Sequence, residues 1–259
     1  ATLTPYPGGD VPLSIQALLW GLLSGSALVI GAALAYFPYI SPRMLASITA
    51  FGAGVLISAL SFELMDEALE RGGLLPTALG FLAGALVFTV ANVWINYAGG
   101  HGRSRSGHHQ MKVHEGGALA IAVGALLDGI PESIAIGVSL LAEKQMAFVA
   151  VAAIFLSNLP EGLASATGMR KAGRSNAYIF CVWGGIALAC GVAAMLGNLT
   201  LSRADPMVIA VVLAVAAGAI LALIVDTMIP EAFEVTHEYS GIITVIGFLA
   251  AFALSKGVG

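Results

Sequence analysis

Three apolar stretches of this chain carry the same small device. One reads LLDGIPESIAIG, with Asp128, Pro131 and Glu132; the next reads FLSNLPEGLASA, with Ser157, Asn158, Pro160 and Glu161; the third reads LIVDTMIPEAFE, with Asp226, Pro230 and Glu231. Each has a polar residue, a short gap, then Pro-Glu, and the first two align without a gap at an offset of 29 residues. Asp128 and Glu132 are four apart, so both carboxylates share one helix face; Ser157 and Asn158 share the face of Glu161 in the same way. Pro131 and Pro160 lack an N–H, which frees the carbonyls of Leu127 and Leu156 and kinks each helix. Clustered carboxylates repel one another in a low dielectric, and a divalent cation removes that penalty. The pattern reads as an all-oxygen cation site whose occupancy competes with protons. A lone Pro-Glu reads as well as a kink with a proton-relay carboxyl; its repetition on consecutive helices favours the ion. For Asp226 and Glu231 the two readings stay open, because Glu231 falls near a helix end.

The elements that must position these groups are membrane helices. Of 259 residues, 58% are hydrophobic and 10% charged, against roughly 25% charged in a soluble domain. The mean hydropathy is +0.93. A soluble surface must be wetted, and this composition cannot supply one. The net charge of −4 leaves no basic footprint for nucleic acid. Cys181 and Cys190 lie in one apolar run without metal or disulfide spacing and read as small apolar residues. A span needs about 20 mostly apolar residues. Eight candidates fit: 14–36, 44–66, 74–97, 116–141, 146–168, 177–200, 207–232 and 240–256. The expected class is an all-α integral membrane protein, a single transmembrane domain over residues 1–259. Residues 1–13 lack the basic start of a signal peptide.

With the N-terminus outside, the inner loops hold Arg43, Arg103, Arg105, Lys112, Arg170, Lys171 and Arg174. The outer side then holds Arg71, Lys144, Arg203 and Lys256. That excess favours N-out and C-out. Tyr36, Tyr39, Trp94, Tyr97, Tyr178, Trp183 and Tyr239 fall near the inner ends, where headgroup-level aromatics are expected. The long polar loop 98–115 holds His101, His108, His109 and His114 and reads as a flexible cytoplasmic segment, either a weak metal-collecting tract or a plain soluble loop. In SFELMDEALERGG, Glu63 reads either as facing the bundle near the outer mouth or as part of a solvated helix end. Asp66, Glu67 and Glu70 read as an acidic vestibule or a solvated helix end.

On these residues the chain resembles the ZIP (Zrt/Irt-like) family of divalent metal transporters, as a divergent bacterial-type member. SNLPEGLASA is close to the family's fifth-helix pattern, and DGIPESIAIG is a variant of its fourth-helix pattern, His-Asn-x-Pro-Glu-Gly. AAGAILALIVDTMIPEAFE and GAGVLISALSFELMDEA resemble the family's seventh and second helices. The resemblance implies a 3+2+3 arrangement, with an inverted repeat flanking helices four and five. It implies two adjacent metal positions between those two helices, of which the thinner ligand set here leaves one or both intact, and passage of a divalent metal ion toward the cytoplasm. Carried over by position, the metal residues are Asp128, Glu132, Ser157, Asn158, Glu161 and Asp226, to which the residue pattern adds Glu63. Every membrane His of the family is missing: Asp128 and Asp226 stand where it has His, Gly129 where it has Asn, and Ser133 where it has Gly. The sixth helix, CVWGGIALACGVAAMLG, lacks an acidic residue found in many members. Zinc is the first expectation for the transported ion, with Fe²⁺, Mn²⁺ and Cd²⁺ also suited to hard oxygen ligands. The expected setting is a bacterial-type inner membrane, as monomer or homodimer, without catalysis. The competing readings are a proton- or cation-coupled carrier of an organic substrate and a non-transporting metal-binding relative. No Lys or Arg lies inside a span to receive an anionic substrate, and neither HExxH nor a membrane His supports a protease.

Overall fold

The computed structural model describes residues 11–37, 41–95, 97, 117–142, 144–171 and 173–256. The His-rich loop 98–115, Tyr39 and most of the N-terminal stretch lie outside the described residues. Among the described residues every regular element is helical. The helices are α1 (Leu13–Leu34), α2 (Pro42–Ala59), α3 (Met65–Gly72), α4 (Leu74–Ile95), α5 (Gly117–Ala142), α6 (Lys144–Lys171), α7 (Asn176–Leu201), α8 (Pro206–Leu223), α9 (Ile229–Thr236) and α10 (Tyr239–Ser255). A five-residue π-turn, Leu60–Leu64, joins α2 to α3, and a second, Ile224–Met228, joins α8 to α9. Each of the eight expected spans falls on a helix or on such a joined pair. Seven are long and apolar enough to cross a membrane, and α10, with 17 residues, is a shorter apolar helix.

The two interrupted rods share one design. α2, its π-turn and α3 run for 18, 5 and 8 residues; α8, its π-turn and α9 run for 18, 5 and 8. Both start on a cap that fills the unpaired N–H groups of a first turn, followed by Pro at a position that needs no donor. Ser41 Oγ accepts from Met44 N at 3.1 Å, and Asp205 Oδ1 from Met207 N at 2.8 Å. Both rods end on a positive φ, 74° at Gly73 and 47° at His237. At an offset of 164 residues the sequences agree at Pro42/Pro206, Ala46/Ala210, Ala50/Ala214, Ala53/Ala217, Gly54/Gly218, Glu67/Glu231, Ala68/Ala232 and Glu70/Glu234. The packing repeats too. Gly54 lies against the Thr244 carbonyl of α10, and Gly218 lies against the Phe81 carbonyl of α4, where a side chain would collide with backbone. Small residues allow helices to approach this closely where lipid supplies no hydrophobic drive between them.

α1 packs on α6 and α7, α5 on α7 and α6, α10 on α2, and α4 on α8. α5 and α6 therefore lie inside the bundle, flanked by α2 and α8. The largest apolar cluster joins α2, α3, α8 and the middle of α6 through residues such as Leu56, Ala68, Ile154 and Leu213. Trp183 is enclosed by protein, packed with Met169 and Ile179, because it lies on the face of α7 turned to α1 and α5. Trp94, Tyr97 and Tyr239 are exposed, as expected of interface aromatics.

His237 occupies a backbone conformation suited to Gly (φ 47°, ψ −126°). Its exposed ring makes an edge contact with Phe233, centroids 6.2 Å apart. His237→Gly is expected to raise the thermal midpoint of the purified protein, with a relief of about 1 kcal/mol. A fall in the midpoint in a thermal-shift assay would show that the ring contact outweighs the backbone cost.

Candidate functional site

α5 brings Asp128 and Glu132 to one face, as their spacing requires, and both are buried. α6 brings Ser157, Pro160 and Glu161 to the facing side. These residues share a cavity of about 30 Å³, lined also by Thr49 of α2 and by Leu223, Thr227, Met228 and Glu231 of the α8–α9 rod. Pro131 and Pro160 sit within continuous helices. Gly52 of α2 stands against the Leu156 carbonyl, the one Pro160 leaves without its helical donor; a Cβ at Gly52 would lie 3.3 Å from that oxygen.

The cavity is oxygen-lined. Ser157 Oγ donates to the Ile154 carbonyl at 2.9 Å, and Thr49 Oγ1 donates to the Leu45 carbonyl at 3.2 Å. A hydroxyl whose proton is committed to a helix carbonyl offers its lone pairs elsewhere. Glu132 is only 1% exposed, and its Oε2 has no hydrogen-bond partner. An unpartnered carboxylate oxygen in a buried site is costly and is rarely left without a purpose. Among the described residues, no three His, Cys, Asp or Glu side chains converge closely enough to hold an ion as they stand.

Three expected residues take other positions. Asn158 is buried, and its Nδ2 donates to the Ser24 carbonyl of α1 at 3.1 Å, so its amide braces α6 on α1. Asp226, in the second π-turn, is exposed and does not line the cavity. Glu63, in the first π-turn, is buried and accepts from Ser255 Oγ of α10. In place of Asp226, its rod presents Thr227 and Glu231. The signal for Glu231 was the repeated Pro-Glu itself; Thr49 carried no motif. Gly129 packs on Cys190, whose Sγ lies 3.9 Å from the Gly129 carbonyl, so the side chain missing there is replaced by sulfur from α7. Cys190 is buried and Cys181 exposed.

No family model matches the chain. It is 29% identical to the zinc transporter ZupT of Escherichia coli O7:K1 (strain IAI39 / ExPEC) over 258 aligned residues, 93% of this chain and 98% of the relative. It is 28% identical to the zinc transporter ZupT of Shigella dysenteriae serotype 1 (strain Sd197) over the same shares. These near full-length matches support kinship with the ZIP family. The similarity runs nearly end to end, so it includes both π-interrupted rods and both Pro-Glu helices. Among the described residues, the cavity carries carboxylates and hydroxyls but no imidazole: His237 is exposed beyond the end of α9, and the other four His lie outside the described residues.

Proposed function

We propose that this chain carries a divalent transition-metal ion, zinc before Fe²⁺, Mn²⁺ or Cd²⁺, across a bacterial inner membrane into the cytoplasm. The observation that carries the reading is the buried, unpartnered Glu132 oxygen beside a cavity that Glu132 lines together with Asp128, Ser157 and Glu161. Glu132 and Glu161 are the principal ligands, from the fourth and fifth spans. Asp128 and Ser157 complete that side, and Glu231 and Thr227 stand on the path between cavity and cytoplasm. The ion draws the carboxylates together, since the opposing charges outweigh the small cost of moving side chains. The cavity volume supports an ion rather than an organic substrate, whose sites run to roughly 300–1,000 Å³.

The whole chain acts as one transmembrane domain of eight spans, N-out and C-out. Three spans on each side of α5 and α6 are related by an inverted repeat, a reading supported by the matched rods and their matched glycine contacts. Repeats of this kind permit alternating access by rocking one bundle against the other. Proton uptake by the carboxylates aids release into the cytoplasm.

The test is accumulation of Zn, Mn, Fe, Co, Ni and Cd in bacterial cells expressing the protein, measured by mass spectrometry. The control is Glu132→Ala with Glu161→Ala. Accumulation of at least one metal by the wild type and not by the double variant is the expected result. Equal metal content at matched expression removes the transport reading.

A further inference from the structure

A second cavity, of about 250 Å³, lies where α1, α2 and α6 meet, at the end of the bundle where α2 begins and α6 ends. Phe37, Ser41 and Lys171 of its lining are exposed, so it opens at that end. It shares a seam with the carboxylate cavity. On α6 the first cavity is lined by Ser157, Pro160 and Glu161, and the second continues the stripe with Ala164, Thr167 and Lys171. Steps of three and four residues keep that stripe on one helix face. On α2 the first cavity has Thr49 and the second has Leu45, one turn nearer the helix start. The layer between the cavities is apolar: Leu45, Leu163 and Ala164 are buried together, with Leu34 and Ala35 at the end of α1 packed against them. Four helical residues rise about 6 Å, so this layer is one side chain thick.

We propose that the second cavity is the inner vestibule of the ion path and that Leu45 and Leu163 are its gate, so that the ion leaves the carboxylates along the α2–α6 seam when these two side chains part. The proposal rests on the transport reading and the orientation given above. A dry leucine layer stops an ion because it offers neither ligand nor water in place of those the ion gives up. Parting the layer needs little rearrangement. The vestibule already holds open space on one side, and Pro160, between the two linings of α6, removes a backbone hydrogen bond that would stiffen the helix there. Past the gate the described lining carries the Thr167 hydroxyl and no carboxylate, so a released ion is not recaptured. Lys171 stands exposed at the mouth, where water and salt screen its charge.

The test has two arms, both in a Cys181→Ser background. In the first, Thr167→Cys is labelled with N-ethylmaleimide after folding, and zinc uptake into proteoliposomes is measured. Labelling is expected to abolish uptake, because it fills the vestibule, and to leave intact the rise in thermal midpoint that zinc gives the purified protein. The control is the wild type labelled at its exposed Cys181, which should keep its uptake. Full uptake after complete labelling of Thr167→Cys overturns the vestibule, and so does loss of the zinc-induced rise along with uptake, which would make Thr167 a support of the site. In the second arm, Thr49→Cys is labelled in inside-out vesicles by a membrane-impermeant maleimide added at the cytoplasmic face. Leu45→Ser and Leu163→Ser are each expected to raise the labelling rate severalfold, because each wets the layer. An unchanged rate overturns the gate. The second arm needs no zinc, so a wild type that moves no metal removes the transport reading while the labelling rates still decide the gate.

Discussion

Glu132→Met is expected to abolish metal uptake and at the same time to make the protein more stable without metal. The two effects have one cause. Glu132 is 1% exposed, and its Oε2 has no hydrogen-bond partner. A buried polar atom left unsatisfied costs about 1–3 kcal/mol. Met is close to Glu in volume and flexible enough to fill the same space without the oxygens. Relief of that cost should raise the thermal midpoint of the purified protein by a few degrees. Neighbouring carboxylates also lose a repulsive partner, which moves stability the same way. Removing a principal ligand should lower uptake by on the order of 100-fold, the upper range seen even when a ligand's supporting partner is lost. A binding readout checks the site apart from transport. Zinc at a hundredfold excess over its dissociation constant should stabilise the wild type by about 2.7 kcal/mol, and Glu132→Met by nearly nothing. A variant that melts well below the wild type, or gains as much from zinc, would show that Glu132 holds the fold rather than the ion.

Part of this arrangement is legible in the sequence. The i, i+4 spacing put Asp128 beside Glu132, and the gapless repeat put Ser157 and Glu161 opposite them; the structure brings all four to one cavity. These residues lie on continuous helices whose 3.6-residue period fixes which side chains share a face. Asn158 has a suitable spacing too, but spacing cannot tell which of two adjacent polar residues meets a neighbouring backbone, and the Ser24 carbonyl takes its amide. Asp226 failed to reach the cavity for a different reason. It lies in a π-turn, where one turn holds an extra residue and the helical count slips. The slip turns Asp226 outward and brings Thr227 and Glu231 inward. The duplication of the two rods is present at an offset of 164 residues, yet many of its identities are Ala and Gly, which are common in membrane helices and do not stand out by composition.

A single methyl at Gly162, beside Glu161, is expected to damage the fold and the site together. Gly162 of α6 lies against the Leu28 carbonyl of α1, and Gly31 of α1 lies against the Leu159 carbonyl of α6; a Cβ on either glycine would overlap the opposing backbone. Flexible side chains give way to an added atom, whereas a carbonyl within a helix moves only if its helix moves. The contact is doubled, so neither glycine's helix can tilt away without opening the other contact. The same two helices are joined by Asn158, whose amide reaches Ser24 one turn from Leu28. Gly162→Ala must therefore push α1 and α6 apart and stretch that hydrogen bond. Overpacking costs typically about 1–3 kcal/mol, occasionally more, and backbone contact on both sides puts this case at or above the top of that range. The expected outcome is a steep loss of folded, detergent-stable protein, with uptake lost in what remains because Glu161 moves with the adjacent residue. Gly184→Ala and Gly241→Ala are the matched controls, since nothing lies within 4 Å of a Cβ built at either position. In a helix interior that change should be neutral or stabilising by about 0.5–1 kcal/mol. If Gly162→Ala yields as much monodisperse protein as these controls, the α1–α6 approach is looser than described and does not set the position of Glu161.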